Sequence, residues 1–110
     1  MNAETPVEVL HQPDEQRYVI CMDGKIAGKA EYMPVDDTRV FVHTEVDPEY
    51  AGQGLAVKLV TKALTSTQNA GLRIVPVCPF VAAFLKRNHD FDDSVDAATP
   101  ELLDQLKVSK

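Results

Sequence analysis

A change of hydrophobic period in the middle of the 110-residue chain constrains its fold more than any other feature. Up to residue 46, short apolar and β-branched runs alternate with turn signals, and Asp23-Gly24 between two such runs is typical of a tight hairpin. From residue 54 to residue 70, apolar side chains recur every three to four positions, as on one face of a helix. The pattern predicts strands first, and then a helix joined to them by a short turn.

The predicted elements form a single domain over residues 1–110. Strands are predicted at residues 7–10, 17–22, 25–33, 39–46 and 72–77, and helices at residues 54–70, 79–87 and 100–108. Residues 34–38 are predicted as a polar turn and residues 92–99 as a loop. Short links favour antiparallel pairing of the first four strands, and the helix after them favours a right-handed crossover to a parallel fifth strand. We therefore expect an α/β (α+β) fold, a single mixed sheet with helices packed on it.

Size, charge and composition exclude several classes of protein. A formal net charge of -6 argues against a surface devoted to nucleic acid. No apolar run approaches the roughly 20 residues that cross a bilayer, and the first residues lack the basic and apolar regions of a signal peptide. The sequence therefore predicts a cytoplasmic protein that binds neither nucleic acid nor membrane. Its Cys and His residues lack metal-ligand spacing, so no metal is expected, and the oligomeric state stays open.

A glycine-containing turn joins the fourth predicted strand to the helix. Gly52 and Gly54 would let the backbone approach a ligand closely and point several N–H groups at one place. The partial positive charge of the helix N-terminus favours a phosphate or diphosphate there. A tight connection that needs glycine only for steric reasons explains the same residues, so the turn by itself leaves both interpretations open.

The same turn resembles motif A of the GNAT acetyltransferase family, which is usually written Gln/Arg-x-x-Gly-x-Gly/Ala. Gly54 and Ala56 match its last two defined positions, whereas Ala51 stands where Gln or Arg is usual. Two further segments extend the resemblance to a short, stand-alone, cysteine-containing subgroup: His43-Thr44-Glu45-Val46 and Val75-Pro76-Val77-Cys78-Pro79-Phe80-Val81. The resemblance covers nearly the whole chain and implies an N-acetyltransferase that uses acetyl-CoA.

The resemblance also implies where CoA contacts the chain. In this family the fourth and fifth strands separate and the pantetheine arm lies between them, in agreement with Pro76, which has no N–H for a ladder. The implied contacts are Thr44, Glu45 and Val46 with pantetheine, Gly52, Gln53, Gly54, Leu55 and Ala56 with the diphosphate, and Arg87 and Asn88 with phosphates or pantetheine. A solvated helix end explains the charge of Arg87 equally well.

Cys78 is the first candidate for the chemistry. It directly precedes Pro79 at a predicted helix start, where the helix N-terminus stabilises a thiolate. The resemblance brings this thiol near the acetyl group, as a nucleophile or as a base, and burial as a small apolar side chain is the alternative. The tyrosine that donates a proton in many family members is missing from residues 80–88, which leaves Cys78 or water for that role. Cys21, between apolar strand neighbours, is predicted to belong to the core.

His43 is the second candidate, because a neutral imidazole could accept a proton from an amine or from Cys78. Strand alternation puts His43 on one face with Phe41 and Glu45, and Glu45 is a weaker candidate base. A single histidine in a strand is also commonly structural.

The sequence thus predicts an enzyme that moves acetyl from acetyl-CoA to an unidentified amine. Two other functions stay open. A non-catalytic acyl-CoA-binding or sensing module would explain the missing tyrosine and Ala51. A thiol-redox protein would need a reactive Cys78 without CoA affinity, and the chain has no Cys-x-x-Cys to favour it.

Overall fold

The computed structural model describes residues 7–50, 52, 54–97, 99–100 and 104. Within these residues one sheet has the strand order β1-β2-β3-β4-β5. The strands are β1 (Val7–Gln12), β2 (Arg17–Met22), β3 (Lys25–Val35), β4 (Thr38–Val46) and β5 (Arg73–Pro76). Helix α1 (Leu55–Asn69) joins β4 to β5, helix α2 (Pro79–Arg87) follows β5, and short 3-10 turns lie at Pro13–Glu15, Pro48–Tyr50 and Asp92–Ser94. The helix predicted at residues 100–108 lies largely outside the described residues.

The strand pairing confirms the predicted topology. Strands β1 to β4 pair antiparallel in chain order, and β5 pairs parallel with β4 after the α1 crossover. Asp23 and Gly24 form the β2–β3 turn with φ angles of 54° and 81°, the left-handed values that a tight hairpin requires. Within the described residues, no helix is long and apolar enough to span a membrane.

The turn between β3 and β4 is shorter than predicted, because Pro34 belongs to β3. Pro34 pairs with Arg39 and Val35 with Thr38, which leaves only residues 36 and 37 in the turn. The pairing of β3 with β2 ends at Glu31, so Pro34 lies where β3 has a partner on one side only. Its missing N–H therefore costs no ladder bond there.

Helix α1 covers one face of the sheet. Its buried side chains are spaced three to four residues apart, as the apolar period predicted: Leu55, Leu59, Val60, Ala63, Leu64 and Thr67. They join one hydrophobic cluster with sheet residues such as Ile20, Ala30 and Phe41. Burial of this apolar stripe, rather than helix propensity alone, holds α1 on the sheet.

A β-bulge interrupts β4. Glu31 pairs with His43, but the next residue of β3, Tyr32, pairs with Phe41, so Val42 has no partner on β3. A bulge of this kind adds one residue to a strand and reverses its alternation of faces.

The bulge corrects the predicted distribution of side chains on β4. Phe41 and Thr44 pair with Tyr32 and Ala30, which are two residues apart in β3, so both lie on the face that packs on α1. His43 and Glu45 lie on the opposite face. The prediction that Phe41 shares a face with His43 and Glu45 is therefore wrong.

A cluster of polar and aromatic side chains joins the sheet to the C-terminal part of α1. The Arg39 guanidinium donates to the Tyr18 hydroxyl at 2.6 Å, and that hydroxyl donates to Ser66 of α1 at 2.8 Å. The His11 ring stacks on Tyr18 with centroids 4.2 Å apart, and its Nε2 lies 2.6 Å from the Tyr32 hydroxyl. Burial first, and then the charge of Arg39, lowers the pKa of His11.

The segment after α2 is partly ordered on β5, so the prediction of a plain loop at residues 92–99 is wrong in part. Val95 forms a parallel bridge with Ile74, and the Asp96 N–H donates to the Ile74 carbonyl at 2.8 Å. The Arg73 guanidinium donates to both carboxylate oxygens of Asp96, at 2.7 and 3.1 Å. The free edge of β5 offers backbone partners that the polar composition of this segment did not reveal.

Candidate functional site

Strands β4 and β5 separate half-way along β4. Their pairing runs from Thr38 with Arg73 to Phe41 with Pro76. The Phe41 carbonyl then accepts two N–H groups, from Val77 at 3.0 Å and from Cys78 at 2.8 Å, before the chain enters α2. Beyond this point, in the described part of the chain, residues 43–46 pair with β3 only, and Val42 is the unpaired bulge residue. The register confirms the predicted gap between the two strands.

The turn at the wide end of the gap leads into an uncapped helix. The Asp47 carboxylate accepts the Glu49 N–H at 3.0 Å and so fixes the short 3-10 turn after β4. Gly54 is the N-cap residue of α1 with a φ of 72°, a left-handed value that favours glycine, and it makes no side-chain capping bond. The first turn of α1 also contains no acidic side chain. Within the described residues no side chain caps its first amide groups, so these amides and its positive dipole end can bind an anion.

A cavity of about 260 Å³ lies at this turn. Its lining joins the end of β4, the start of α1 and the first turn of α2: Val46, Tyr50, Gly52, Gly54, Leu55, Ala56, Val57 and Phe80. Five of the predicted cofactor residues thus line one cavity. Tyr50, Val57 and Phe80 complete its apolar wall. Val57 could have been identified from the sequence, because it is an apolar residue outside the apolar stripe of α1. In the structure its side chain is 46% exposed.

Four predicted cofactor residues do not line this cavity: Thr44 and Glu45 of β4, and Arg87 and Asn88 at the end of α2. Arg87 ends α2 and Asn88 caps it. The Asn88 N–H donates to the Phe84 carbonyl at 3.0 Å, and the side-chain oxygen of Asn88 accepts the Asp90 N–H at 3.0 Å. At about 1.5 Å of rise per residue, Asn88 is roughly 12 Å along the helix axis from Phe80. Gln53, the fifth, lies outside the described residues.

Cys78 lies at the narrow end of the gap, as the N-cap residue of α2. Its Sγ–H donates to the Thr44 hydroxyl at 3.4 Å, and the residue is 3% exposed within the hydrophobic cluster. The predicted position at a helix start is confirmed. The prediction that Cys21 is the core cysteine is wrong, because Cys21 is half-buried and only Cys78 of the two free thiols belongs to the cluster. Cys21 pairs with Ile26, on the face of the sheet away from α1.

His43 and Glu45 form a pair on the opposite face of β4. His43 Nε2 lies 2.7 Å from Glu45 Oε1, and their side chains are 50% and 57% exposed. The hydrogen bond from His43, and then the charge of Lys29, lowers the pKa of Glu45, so its carboxylate is ionised at neutral pH. In the neutral tautomer that donates Nε2–H to this carboxylate, the lone pair of His43 is on Nδ1.

The two candidate catalytic residues are therefore on opposite sides of β4. Cys78 contacts Thr44, whereas His43 lies on the other face, so the proton transfer expected between Cys78 and His43 has no direct contact to support it. Within the described residues, no three His, Cys, Asp or Glu side chains are grouped as metal ligands would be.

Comparisons with known proteins agree on a family and on a fold. A family model described as GCN5-related N-acetyl-transferase matches residues 17–94. No curated protein matches the chain in sequence. A GCN5-like protein from Staphylococcus aureus has a similar structure, with a TM-score of 0.64, 22% identity, and coverage of 84% of this chain and 91% of that one.

Two structures from Escherichia coli resemble part of the chain. The ribosomal-protein-S18-alanine N-acetyltransferase gives a TM-score of 0.53 with 18% identity over 64% of each chain. A GNAT family N-acetyltransferase in complex with CoA gives a TM-score of 0.51 with 31% identity, over 55% of this chain and 38% of that one. The matched part of this chain spans less than two thirds of either of these proteins.

Proposed function

The chain belongs to the family of GCN5-related N-acetyltransferases, and we propose that it transfers acetyl from acetyl-CoA to an amine across β4, with CoA on one side of this strand and the amine on the other. The observation that carries this proposal is the separation of β4 from β5, which leaves residues 42–46 accessible between a cavity on one side and the His43–Glu45 pair on the other. The enzyme is acetyl-CoA-dependent, and its acceptor is not identified.

We propose that the CoA diphosphate binds the amides of residues 52–56 and that pantetheine lies along the free edge of Thr44, Glu45 and Val46. The uncapped first turn of α1 and the left-handed Gly54 support the diphosphate site. A helix N-terminus contributes about 0.3–1 kcal/mol to binding an exposed anion, and several convergent amides add hydrogen bonds to that. CoA bound to the related Escherichia coli protein supports the choice of ligand.

The proposed reaction uses one group on each side of β4. The amine nitrogen attacks the thioester carbonyl, and its proton passes to Nδ1 of His43, which Glu45 orients through Nε2–H. The new C–N bond forms, the C–S bond breaks, and the departing CoA thiolate takes the Sγ proton of Cys78. The thiol lies at the narrow end of the gap, and its Sγ–H bond to Thr44 must break for this transfer. Cys78 then regains a proton from solvent, and His43 releases its proton to solvent.

Variants at His43, Glu45 and Cys78 test the chemistry. His43→Ala should lower kcat/KM by about 10²-fold, the usual contribution of a general base, and Glu45→Gln should lower it less. Cys78→Ser should keep more activity than Cys78→Ala, because a hydroxyl can still donate a proton. Both Cys78 variants should bind CoA as the wild type does, in titration calorimetry. A stable acetyl adduct on Cys78, seen by mass spectrometry after incubation with acetyl-CoA, would show a nucleophile and overturn the acid role.

The position of CoA is tested separately. Amide shifts in NMR spectra on addition of CoA should centre on residues 44–56 and 78–82. Shifts confined to other surfaces would contradict the site. CoA binding at this site without transfer to any member of an amine panel would instead support a non-catalytic acyl-CoA-binding module.

A further inference from the structure

A second and larger cavity, of about 500 Å³, lies at the same end of β4. Backbone and side chains of β3 form one wall, and the last residues of β4 with the following turn form the other. The residues that decide its chemistry are Ile26, Gly28, Lys29, Glu45, Asp47 and Pro48. Its size is within the range of small-molecule sites, about 300–1,000 Å³.

The two cavities meet at Val46, which lines both of them. Lys29 pairs with Glu45 across the strands, so both side chains lie on the face away from α1, where His43 also lies. Gly28 allows β3 and β4 to approach closely beside this cavity, because a Cβ there would lie 2.8 Å from the Glu45 carbonyl oxygen. A ligand that contacts Lys29 and Glu45 in the second cavity would therefore approach β4 from the side opposite to the α1 N-terminus.

The lining combines carboxylates with apolar surface. Glu45 is ionised, and the Asp47 carboxylate uses one oxygen for the Glu49 N–H, while its second oxygen has no bond within the described residues. The cation in the lining, Lys29, lies 3.5 Å from Glu31. Ile26 is 51% exposed, which is high for a large apolar side chain in a strand. The net charge of the lining is therefore negative, next to an apolar wall.

We propose that this cavity binds the acetyl acceptor as a primary alkylammonium, with its apolar stem against Ile26 and Pro48 and its charged head toward Glu45. The inference rests on the proposed function and adds to it the chemical class of the acceptor. An ammonium beside Glu45 is also beside His43, which takes one proton to give the neutral amine and passes that proton to solvent before it acts as the base in the attack. A carboxylate or phosphate substrate would be repelled by Glu45 and Asp47.

The test uses the protein saturated with CoA, which binds but cannot transfer acetyl. The probe is n-butylamine, protonated at neutral pH, and the control is n-butanol, which has the same stem without the charge. We expect NMR shifts from butylamine at residues 26–29 and 45–48. Butanol should bind about fivefold more weakly, because it lacks the exposed ion pair that the ammonium forms with Glu45. A second probe, Nα-acetyl-lysine amide, distinguishes the sources of the amine. Tighter binding than butylamine indicates a lysine side chain in a peptide, and weaker binding indicates a free amine.

Matched variants separate the cavity from general effects on the sheet. Ile26→Ser should weaken butylamine binding about fivefold, while Leu10→Ser, at a 40% exposed position on β1, should leave it unchanged. Glu45→Gln should reduce butylamine affinity to that of butanol, and Glu8→Gln, on the exposed edge strand, should not.

Three results would overturn the proposal. These are equal affinity for butylamine and butanol, equal effects of Ile26→Ser and Leu10→Ser, and butylamine shifts at residues 50–57 instead of 26–29. If CoA itself fails to bind, the proposed function is wrong. If CoA binds at residues 44–56 and butylamine gives any of the three results, only the acceptor site is wrong.

Discussion

Gly28→Ala tests whether the close approach of β3 and β4 sets the geometry of both cavities. The added Cβ would lie 2.8 Å from the Glu45 carbonyl oxygen, 3.1 Å from Val46 Cγ2 and 3.2 Å from Val46 Cα, all shorter than ordinary contacts. Two of these neighbours are backbone atoms, so the strands must move apart by several tenths of an ångström. Overpacking of this kind lowers the free energy of unfolding by about 1–3 kcal/mol. The replacement of glycine also restricts the unfolded chain, which raises the free energy of unfolding by about 0.4–1 kcal/mol.

The net destabilisation expected for Gly28→Ala is about 1–2 kcal/mol. For a domain of this size about 4 °C of Tm corresponds to each kcal/mol, so thermal unfolding followed by circular dichroism should shift down by about 4–8 °C. Because Val46 lines both cavities, affinities for CoA and for butylamine should fall together.

A matched variant distinguishes strand displacement from a general loss of stability. Gly71→Ala puts a side chain at a φ of 77° after α1, where no atom lies within 4 Å of the new Cβ, so it is strained without displacing β4. It should lower Tm and keep the affinity for CoA. The reasoning would be refuted if Gly28→Ala had the Tm of the wild type. It would also be refuted if Gly28→Ala had a lower Tm but bound CoA with the affinity of Gly71→Ala.

Two further predictions concern single side chains. Gly54→Val should abolish CoA binding in calorimetry, because a β-branched residue is strained at a φ of 72° and its side chain would lie at the N-terminus of α1. The control is Gly71→Val, which is equally strained but should still bind CoA. The pKa of His11 is lowered from 6.5 in the folded state, so the folded protein favours neutral His11. The stability that this contributes is present above pH 6.5 and is lost as the pH falls through the folded pKa. His11→Phe should therefore flatten the fall in the urea midpoint between about pH 7 and pH 5, and an unchanged slope would exclude His11 as its cause.

The elements that local chemistry determines could be predicted from the sequence. The Asp23-Gly24 turn has the φ angles that its residues favour, and the apolar period of α1 coincides with its buried face. The glycine turn, through its resemblance to motif A, identified four residues that line one cavity: Gly52, Gly54, Leu55 and Ala56. In each case the signal lies within a few consecutive residues.

Features that depend on partners far along the chain could not be predicted. The bulge at Val42 arises from the register between β3 and β4, and no residue type in β4 requires it. It changes the face of Phe41 and separates His43 from Cys78. Likewise, the burial of the two cysteines depends on which face each strand presents to α1, and their own neighbours in sequence gave the opposite ranking.

The agreement between strand order and chain order has a consequence for how the molecule folds. Three successive hairpins close by short loops, and contacts between residues near in sequence form fast. The parallel contact of β5 with β4 must wait until the 15-residue helix α1 has formed and crossed the sheet. We therefore expect this contact to form last, and so the gap that depends on it exists only in the completely folded chain. A kinetic intermediate with four paired strands would have most of the sheet but no place for CoA.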